Sequence, residues 1–238
     1  MPRSKQTKFD YFSLVRKSIA AALLISLGDY VLLKLGQPLG PFLFSFGLLG
    51  VCVLGANLFT GKCGFLIEDK IRPLHLLLIL LVNLVAGYLF GLLFSICDAS
   101  IVAAASEKVA SWDMSWSFLV RSILCGVIMY LAVAIYRKDS KLGILLGVPL
   151  FIFCGFQHCI ANVITLGVAQ TFSWTLIICI IGNFVGSLVT WYLCADLSLR
   201  KQIKNTKRNS KHNQARHQGT TRHSNHWFFK IQTKEASC

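Results

Sequence analysis

The sequence predicts an all-α membrane protein of six transmembrane helices, built as two inverted three-helix repeats in which helices 2 and 5 are broken. Three observations lead there. Of 238 residues, 55% are hydrophobic and 14% charged, whereas a soluble domain carries about 25% charged residues. Charges are absent from three long runs, 39–61, 74–97 and 142–195. Residues of like type also recur at an offset of about 100 along the chain.

The spans follow in order. A bilayer crossing takes about 20 mostly apolar residues, so 12–35, 39–61, 74–97 and 117–136 each supply one. The charge-free run 142–195 would extend about 80 Å as one helix. It must turn back once, and Gly167–Ser173 (GVAQTFS) is the expected turn. The domain plan is then an N-terminal arm 1–11, a six-helix transport domain 12–198, and a basic tail 199–238. The basic start followed by an apolar run also suits a signal peptide, but its length and the spans after it favour a retained first helix.

Charge sets the orientation. With the N-terminus inside, Arg3, Lys5, Lys8, Arg16, Lys17, Lys62, Lys70, Arg72, Arg137, Lys138, Lys141 and the tail fall on the inner side. Lys34, Lys108 and Arg121 fall outside. This positive-inside bias puts both termini in the cytoplasm, with the protein in the cell (inner) membrane. The net charge of +14 does not imply nucleic acid, because ten of the 24 basic residues lie after Leu199 in a tail read as disordered. Anionic lipid headgroups are the expected partner of that tail. The nine cysteines are scattered without a CxxC pair, which argues against a zinc site or disulfide framework. No metal or cofactor is expected.

The internal echo locates the site. Val15-Arg16-Lys17-Ser18-Ile19 is matched by Val120-Arg121-Ser122-Ile123, and Asn83-Leu84-Val85-Ala86 by Asn183-Phe184-Val185-Gly186. Between them, Gly55-Ala56-Asn57-Leu58-Phe59-Thr60-Gly61 and Gly155-Phe156-Gln157-His158-Cys159-Ile160-Ala161-Asn162 hold corresponding places in spans 2 and 5. Three spans per half require the second copy to enter from the opposite side. Irregular backbone at mid-depth is tolerated only where protein covers it or it lines a cavity. Broken helices there would offer amide groups to an anion.

His158 is the histidine at the centre of a span, and ionisable groups inside a membrane are usually functional. Its reference pKa near 6.5 suits proton transfer; the plain alternative is a hydrogen bond to Asn162, one turn on. Thr60 sits near Gly61 and Gly64, where an unwound loop is plausible, and its hydroxyl can donate to an anion. An intact helix with Thr60 bonded back to its own backbone is the alternative. Phe44, Leu48, Phe59 and Phe151 are candidate constrictions, although ordinary packing explains them equally. Lys108, in the outer loop 98–116, can concentrate anions at a pore mouth or simply balance Glu107. Asp29 and Arg121 could pair with each other. A membrane enzyme built on His158 with Cys159 or Cys154 would need a nucleophile, a base and an oxyanion site together, and only the histidine is evident, so no catalytic role is assigned.

The stretches Leu58-Phe59-Thr60-Gly61 and Gly155–Asn162, with Gly182-Asn183 in span 6, resemble the signatures of the formate/nitrite transporter family over about 10–198. The resemblance implies an aquaporin-like fold and a homo-pentamer with a pore in each protomer. It implies Thr60 on the loop breaking helix 2 and His158 on the break in helix 5, meeting the substrate between two apolar constrictions. Phe44, Leu48, Phe59 and Phe151 would form those constrictions, Lys108 would attract the anion from outside, and Asn162 matches the asparagine after the central histidine. The sequence departs from the family pattern at Asn57 and Gln157, where acids are usual, and at Gly126, where asparagine is common. The expected function is transport of small monovalent anions or their weak acids, formate or nitrite first, with His158 assisting protonation. Hydrosulfide or lactate transport, or a neutral-solute aquaporin-like channel lacking the paired Asn-Pro-Ala loops, are the alternatives.

Overall fold

The computed structural model describes residues 10–194; the start of the arm and the basic tail lie outside the described residues. The chain divides into a unit Met1–Trp191 and a unit Tyr192–Cys238, of which 192–194 are described. The described residues are helical, without strands. They form α1 (Tyr11–Leu35), α2 (Leu39–Val53), α3 (Phe59–Lys62), a 3₁₀ turn (Cys63–Phe65), α4 (Pro73–Cys97), α5 (Ser100–Ala110), α6 (Trp116–Tyr136), α7 (Leu142–Phe153), α8 (Cys159–Val168) and α9 (Thr175–Cys194).

Four of these, α1, α4, α6 and α9, are long and apolar enough to cross a membrane, while α2, α7 and α8 are shorter apolar helices. Their ends carry ordinary signals. Asp10 caps α1 by accepting from Ser13 N at 3.0 Å, Ser115 caps α6 by accepting from Phe118 N at 3.2 Å, and Pro73 opens α4, where a missing N–H costs nothing. The chain turns back between Val168 and Thr175. The segment 98–116, a loop by sequence, instead carries α5. Its Ala-rich run favours helix, and Asp98 Oδ1 accepts from Ser100 N at 3.0 Å at its start.

Large apolar side chains face outward as well as inward. Phe46, Ile96 and Trp116 are exposed, while Ser18, Asn83, Ser122, Asn183 and Ser187 are fully buried. α1 packs on α2 and α4, α4 on α8, and α6 and α2 on α7. Small residues permit the closest approaches: a Cβ on Gly91 would strike Ile164 O across the α4–α8 contact, and one on Gly167 would strike Tyr88 O. That contact fixes α8, and with it the site.

Candidate functional site

Two short connections, 54–58 between α2 and α3 and 154–158 between α7 and α8, build the site. Each turns at its second residue, a glycine in the left-handed region, Gly55 at φ 61° and Gly155 at φ 67°. These glycines, rather than Gly61 and Gly64, end the helices. The hydrogen bonds are those of the helix-ending motif in which the two residues after the cap reach back to the last turn. Ala56 N donates to Val51 O at 2.9 Å and Gly55 N to Cys52 O at 3.3 Å; Phe156 N donates to Phe151 O at 2.9 Å and Gly155 N to Ile152 O at 3.0 Å. After the turn the backbone extends through Leu58 (φ −98°, ψ 129°) and His158 (φ −103°, ψ 116°).

One asparagine fastens each connection. Asn83 Oδ1 accepts from Phe59 N at 2.8 Å, and its Nδ2 donates to Ser18 O at 2.8 Å and Asn57 O at 3.1 Å. Asn183 Oδ1 accepts from Cys159 N at 2.8 Å, and its Nδ2 donates to Ser122 O and Gln157 O, both at 2.8 Å. Buried backbone groups need partners, and these side chains supply them where the helix ladder stops. The sequence shows the two asparagines as an echo without showing this task.

The connections bring Thr60 and His158 together. Thr60 lies in the first turn of α3, not on the loop, and its Oγ1 is 2.8 Å from His158 Nε2. His158 is the cap residue of α8, and its Nδ1 accepts from Ala161 N at 3.1 Å. A ring nitrogen that accepts carries no proton, so the proton of the neutral ring sits on Nε2 and is donated to Thr60 Oγ1. The Thr60 hydroxyl proton is then turned away from the ring. Both residues are buried. The amides at the starts of α3 and α8 are partly taken, by Asn83, Asn183 and His158, so polar side chains rather than bare amides define the pocket.

Apolar rings surround the pair. Phe151 stacks on the His158 ring at 5.7 Å between centroids, and Phe44 meets Phe151 edge to face at 6.2 Å. Phe44, Leu48, Phe59 and Phe151 are all buried. Phe59 stacks on Phe184 at 6.4 Å.

Two cavities approach this region. One, of 400 Å³, is lined among others by Phe44, Lys108, Arg121, Phe151, His158 and Asn162. The other, of 190 Å³, is lined among others by Leu48, Leu58, Lys62, Val133, Tyr136 and Arg137. Arg121 and Arg137 lie sixteen positions apart on or at the end of α6, about 24 Å along its axis, so the cavities open toward opposite ends of that helix. Leu48 lines one cavity and Phe44 and Phe151 the other, while Phe59 lines neither.

Lys108 does not sit in a free loop beside Glu107. α5 packs against α8 and α1, and it delivers Lys108 Nζ to Thr165 Oγ1 at 3.2 Å and Asp29 Oδ1 at 3.6 Å. Thr165 Oγ1 also lies 2.9 Å from Asp29 Oδ2. The pairing of Asp29 with Arg121 that the sequence allows is not formed, because Arg121 turns to Ser117 Oγ four residues back, at 3.1 and 2.8 Å. Asn162 Nδ2 donates to Gln157 Oε1 at 3.0 Å rather than to the His158 ring. Asp29, Thr165, Gln157 and Arg121 are site neighbours that sequence alone did not assign.

Apolar faces turned outward, with buried polar side chains grouped between two cavities, mark an integral membrane protein. A family model described as "Formate/nitrite transporter" matches residues 3–194. The chain belongs to the formate/nitrite transporter family. It is similar to "Uncharacterized transporter YrhG" of Bacillus subtilis (strain 168), 27% identical over 202 residues, covering 73% of this chain and 76% of that protein. In fold it is similar to an "FNT family ion channel" (TM-score 0.61, 21% identity, 81% of this chain and 91% of that one). It is equally similar to a "Pentameric formate channel with formate bound" (TM-score 0.62, 16% identity, 81% and 97%). The family is one of transporters, not enzymes.

Proposed function

We propose that this protein passes small monovalent anions and their weak acids, formate or nitrite first among them, through a pore in each protomer of a pentamer. In this reading the transport domain 12–198 crosses the cell (inner) membrane six times as two inverted three-helix repeats, with both termini cytoplasmic. α2–α3 and α7–α8 are the two interrupted crossings, broken at 54–58 and 154–158. The paired roles of Gly55 with Gly155 and of Asn83 with Asn183 support the repeat. Family membership supports the anion.

The observation that carries the reading is the 2.8 Å contact between Thr60 Oγ1 and His158 Nε2, lying between two cavities at opposite ends of α6. Lys108 gathers the anion in the larger cavity, where Asn162 offers further polar surface. Phe44 and Phe151 form one constriction, and Leu48 and Phe59 the other. A bare anion pays a large desolvation penalty at such walls, and protonation removes most of it. His158 can serve this step through its two nitrogens. A proton taken at Nδ1 makes the imidazolium, and transfer of the Nε2 proton to the anion leaves a neutral ring in the other tautomer and a neutral acid. Because Nδ1 holds the Ala161 amide at rest, the step requires that bond to open. Thr60 donates its hydroxyl to the anion meanwhile.

The test is uptake of formate, nitrite, hydrosulfide and lactate into liposomes at two outside pH values. Faster formate or nitrite entry at the lower pH is expected. Water flux without anion uptake would overturn the reading in favour of a neutral-solute channel, and preference for hydrosulfide or lactate would reassign the substrate.

A further inference from the structure

The smaller cavity carries an excess of positive charge. It is lined by two cations, Lys62 and Arg137, and by no carboxylate. Arg137 is already neutralised: its guanidinium takes both oxygens of Asp69, at 2.9 and 2.6 Å, and lies 3.7 Å over the Phe65 ring. Lys62 differs. It is half-buried at the end of α3, two residues after Thr60, and among the described residues it makes neither an ion pair nor a hydrogen bond. Its surroundings are the apolar walls of Leu48, Val51, Leu58 and Val133. Asp69 attracts the Lys62 ammonium through space but is bonded by Arg137, so one carboxylate faces two cations and a net positive charge remains. A partly desolvated ammonium with so little compensation is unfavourable, and an open cavity can offset it with an anion from solution.

We propose that this cavity is an anion-binding subsite with Lys62 as its cation, the loading or release station on the side of the Thr60–His158 pair opposite Lys108. The inference deepens the proposed function and rests on it for the identity of the anion. The chemistry that fits is a small group with a single negative charge. One cation balances one charge, 190 Å³ holds a few heavy atoms with water, and a second charge would face the apolar walls unpaired. The same chemistry is presented by a lipid phosphodiester at the mouth of the cavity, so the source must be distinguished. The two sides also differ in kind. Lys108 is in contact with Asp29 and Thr165, whereas Lys62 feels Asp69 only through space and shares it with Arg137, so an anion meets less competition at Lys62.

The experiment labels the full-length protein with an amine-reactive reagent and follows the Lys62 peptide by mass spectrometry, with exposed Lys138 as internal reference. Formate or nitrite should slow Lys62 labelling severalfold relative to Lys138, and sulfate at equal ionic strength should not. Anion binding both shields the amine and holds it protonated, so the two effects act in the same direction. Equal labelling with and without monovalent anion overturns the inference. Protection by phosphatidylglycerol vesicles but not by soluble anion overturns it in favour of a headgroup site.

Transport supplies the second readout. Lys62→Met should raise the half-saturating anion concentration about tenfold when anion is offered from the Lys62 side and leave the Lys108 side unchanged, while Lys62→Arg restores it. Wild-type transport with no labelling protection and no sided shift sinks the subsite and spares the proposed function. Protection by anion in a protein that transports none sinks the proposed function and leaves the subsite.

Discussion

Asn83 Oδ1 and Asn183 Oδ1 each accept the amide of the first residue of a restarted helix, Phe59 N and Cys159 N, at the same 2.8 Å. Each asparagine also donates to the residue two before that amide, Asn57 O or Gln157 O, and to a serine carbonyl on a neighbouring long helix, Ser18 O or Ser122 O. One fully buried side chain thus satisfies three backbone groups.

Replacing either asparagine by alanine leaves all three groups without their partner. A buried unsatisfied polar group costs about 1–3 kcal/mol, and Asn83→Ala or Asn183→Ala should each destabilise the folded protein by at least that much. Thermal unfolding in detergent reads it directly. Asn183→Asp keeps the acceptor for Cys159 N but sets a buried carboxyl oxygen against the Ser122 and Gln157 carbonyls, and should destabilise at least as much as alanine. A wild-type melting temperature in both alanine variants would show that the connections hold themselves.

How far the site was legible follows from these residues. Gly55 and Gly155 stand at an offset of 100, but Gly61 and Gly64, closer to Thr60, drew the expected break away from them; the turn at 167–173 was forced by length alone. The two asparagines were legible as a pair, but their bonds reach 24 to 65 residues along the chain and depend on how α4 and α9 pack. Lys108 was legible as a cation of the segment 98–116; its bond to Thr165 needs α5, and the helix tendency of an Ala-rich loop was the missed signal. The Arg121–Ser117 contact has the i, i+4 spacing of a single helix face and was readable without a structure.

Thr60 tests the donor side of the pocket. Thr60→Val keeps the shape and removes the hydroxyl, so the His158 Nε2 proton loses its acceptor and the anion loses a donor. Uptake of the preferred anion should fall at least tenfold, which corresponds to about 1.4 kcal/mol or more in the barrier. Thr60→Ser restores the hydroxyl and should recover most of the rate. Full activity in the valine variant would remove Thr60 from the path.

Asp69 sets an acid limit on stability. Its hydrogen bonds to the Arg137 guanidinium hold its carboxyl below the usual carboxylate range, against the opposing effect of partial burial. A group whose folded pKa is lowered contributes stability that is present above its unfolded value, near 3.9, and is lost as pH falls through the folded one. Both side chains are about one-third exposed, 35% and 32%, so the contribution is screened to about 0.2–1 kcal/mol. Asp69→Asn should therefore lower the melting temperature slightly at pH 7 and reduce the further loss between pH 5 and pH 3. An unchanged acid limb in the variant would place the loss on another carboxylate, with Asp98 the next to test, since Lys34, Ser100 and Tyr30 hold it low as well.

His158 can be separated from its structural duty by choosing the replacement. Asparagine is among the best cap residues and can accept the Ala161 amide as Nδ1 does now, so His158→Asn should fold with a melting temperature close to wild type. It cannot accept a proton at one atom and release another elsewhere. After subtraction of leakage through protein-free liposomes, uptake by wild type should climb as outside pH drops, while uptake by the variant stays flat and lower. If the variant keeps the wild-type slope against pH, the imidazole is only the cap of α8, and the proton reaches the anion before it enters the pocket.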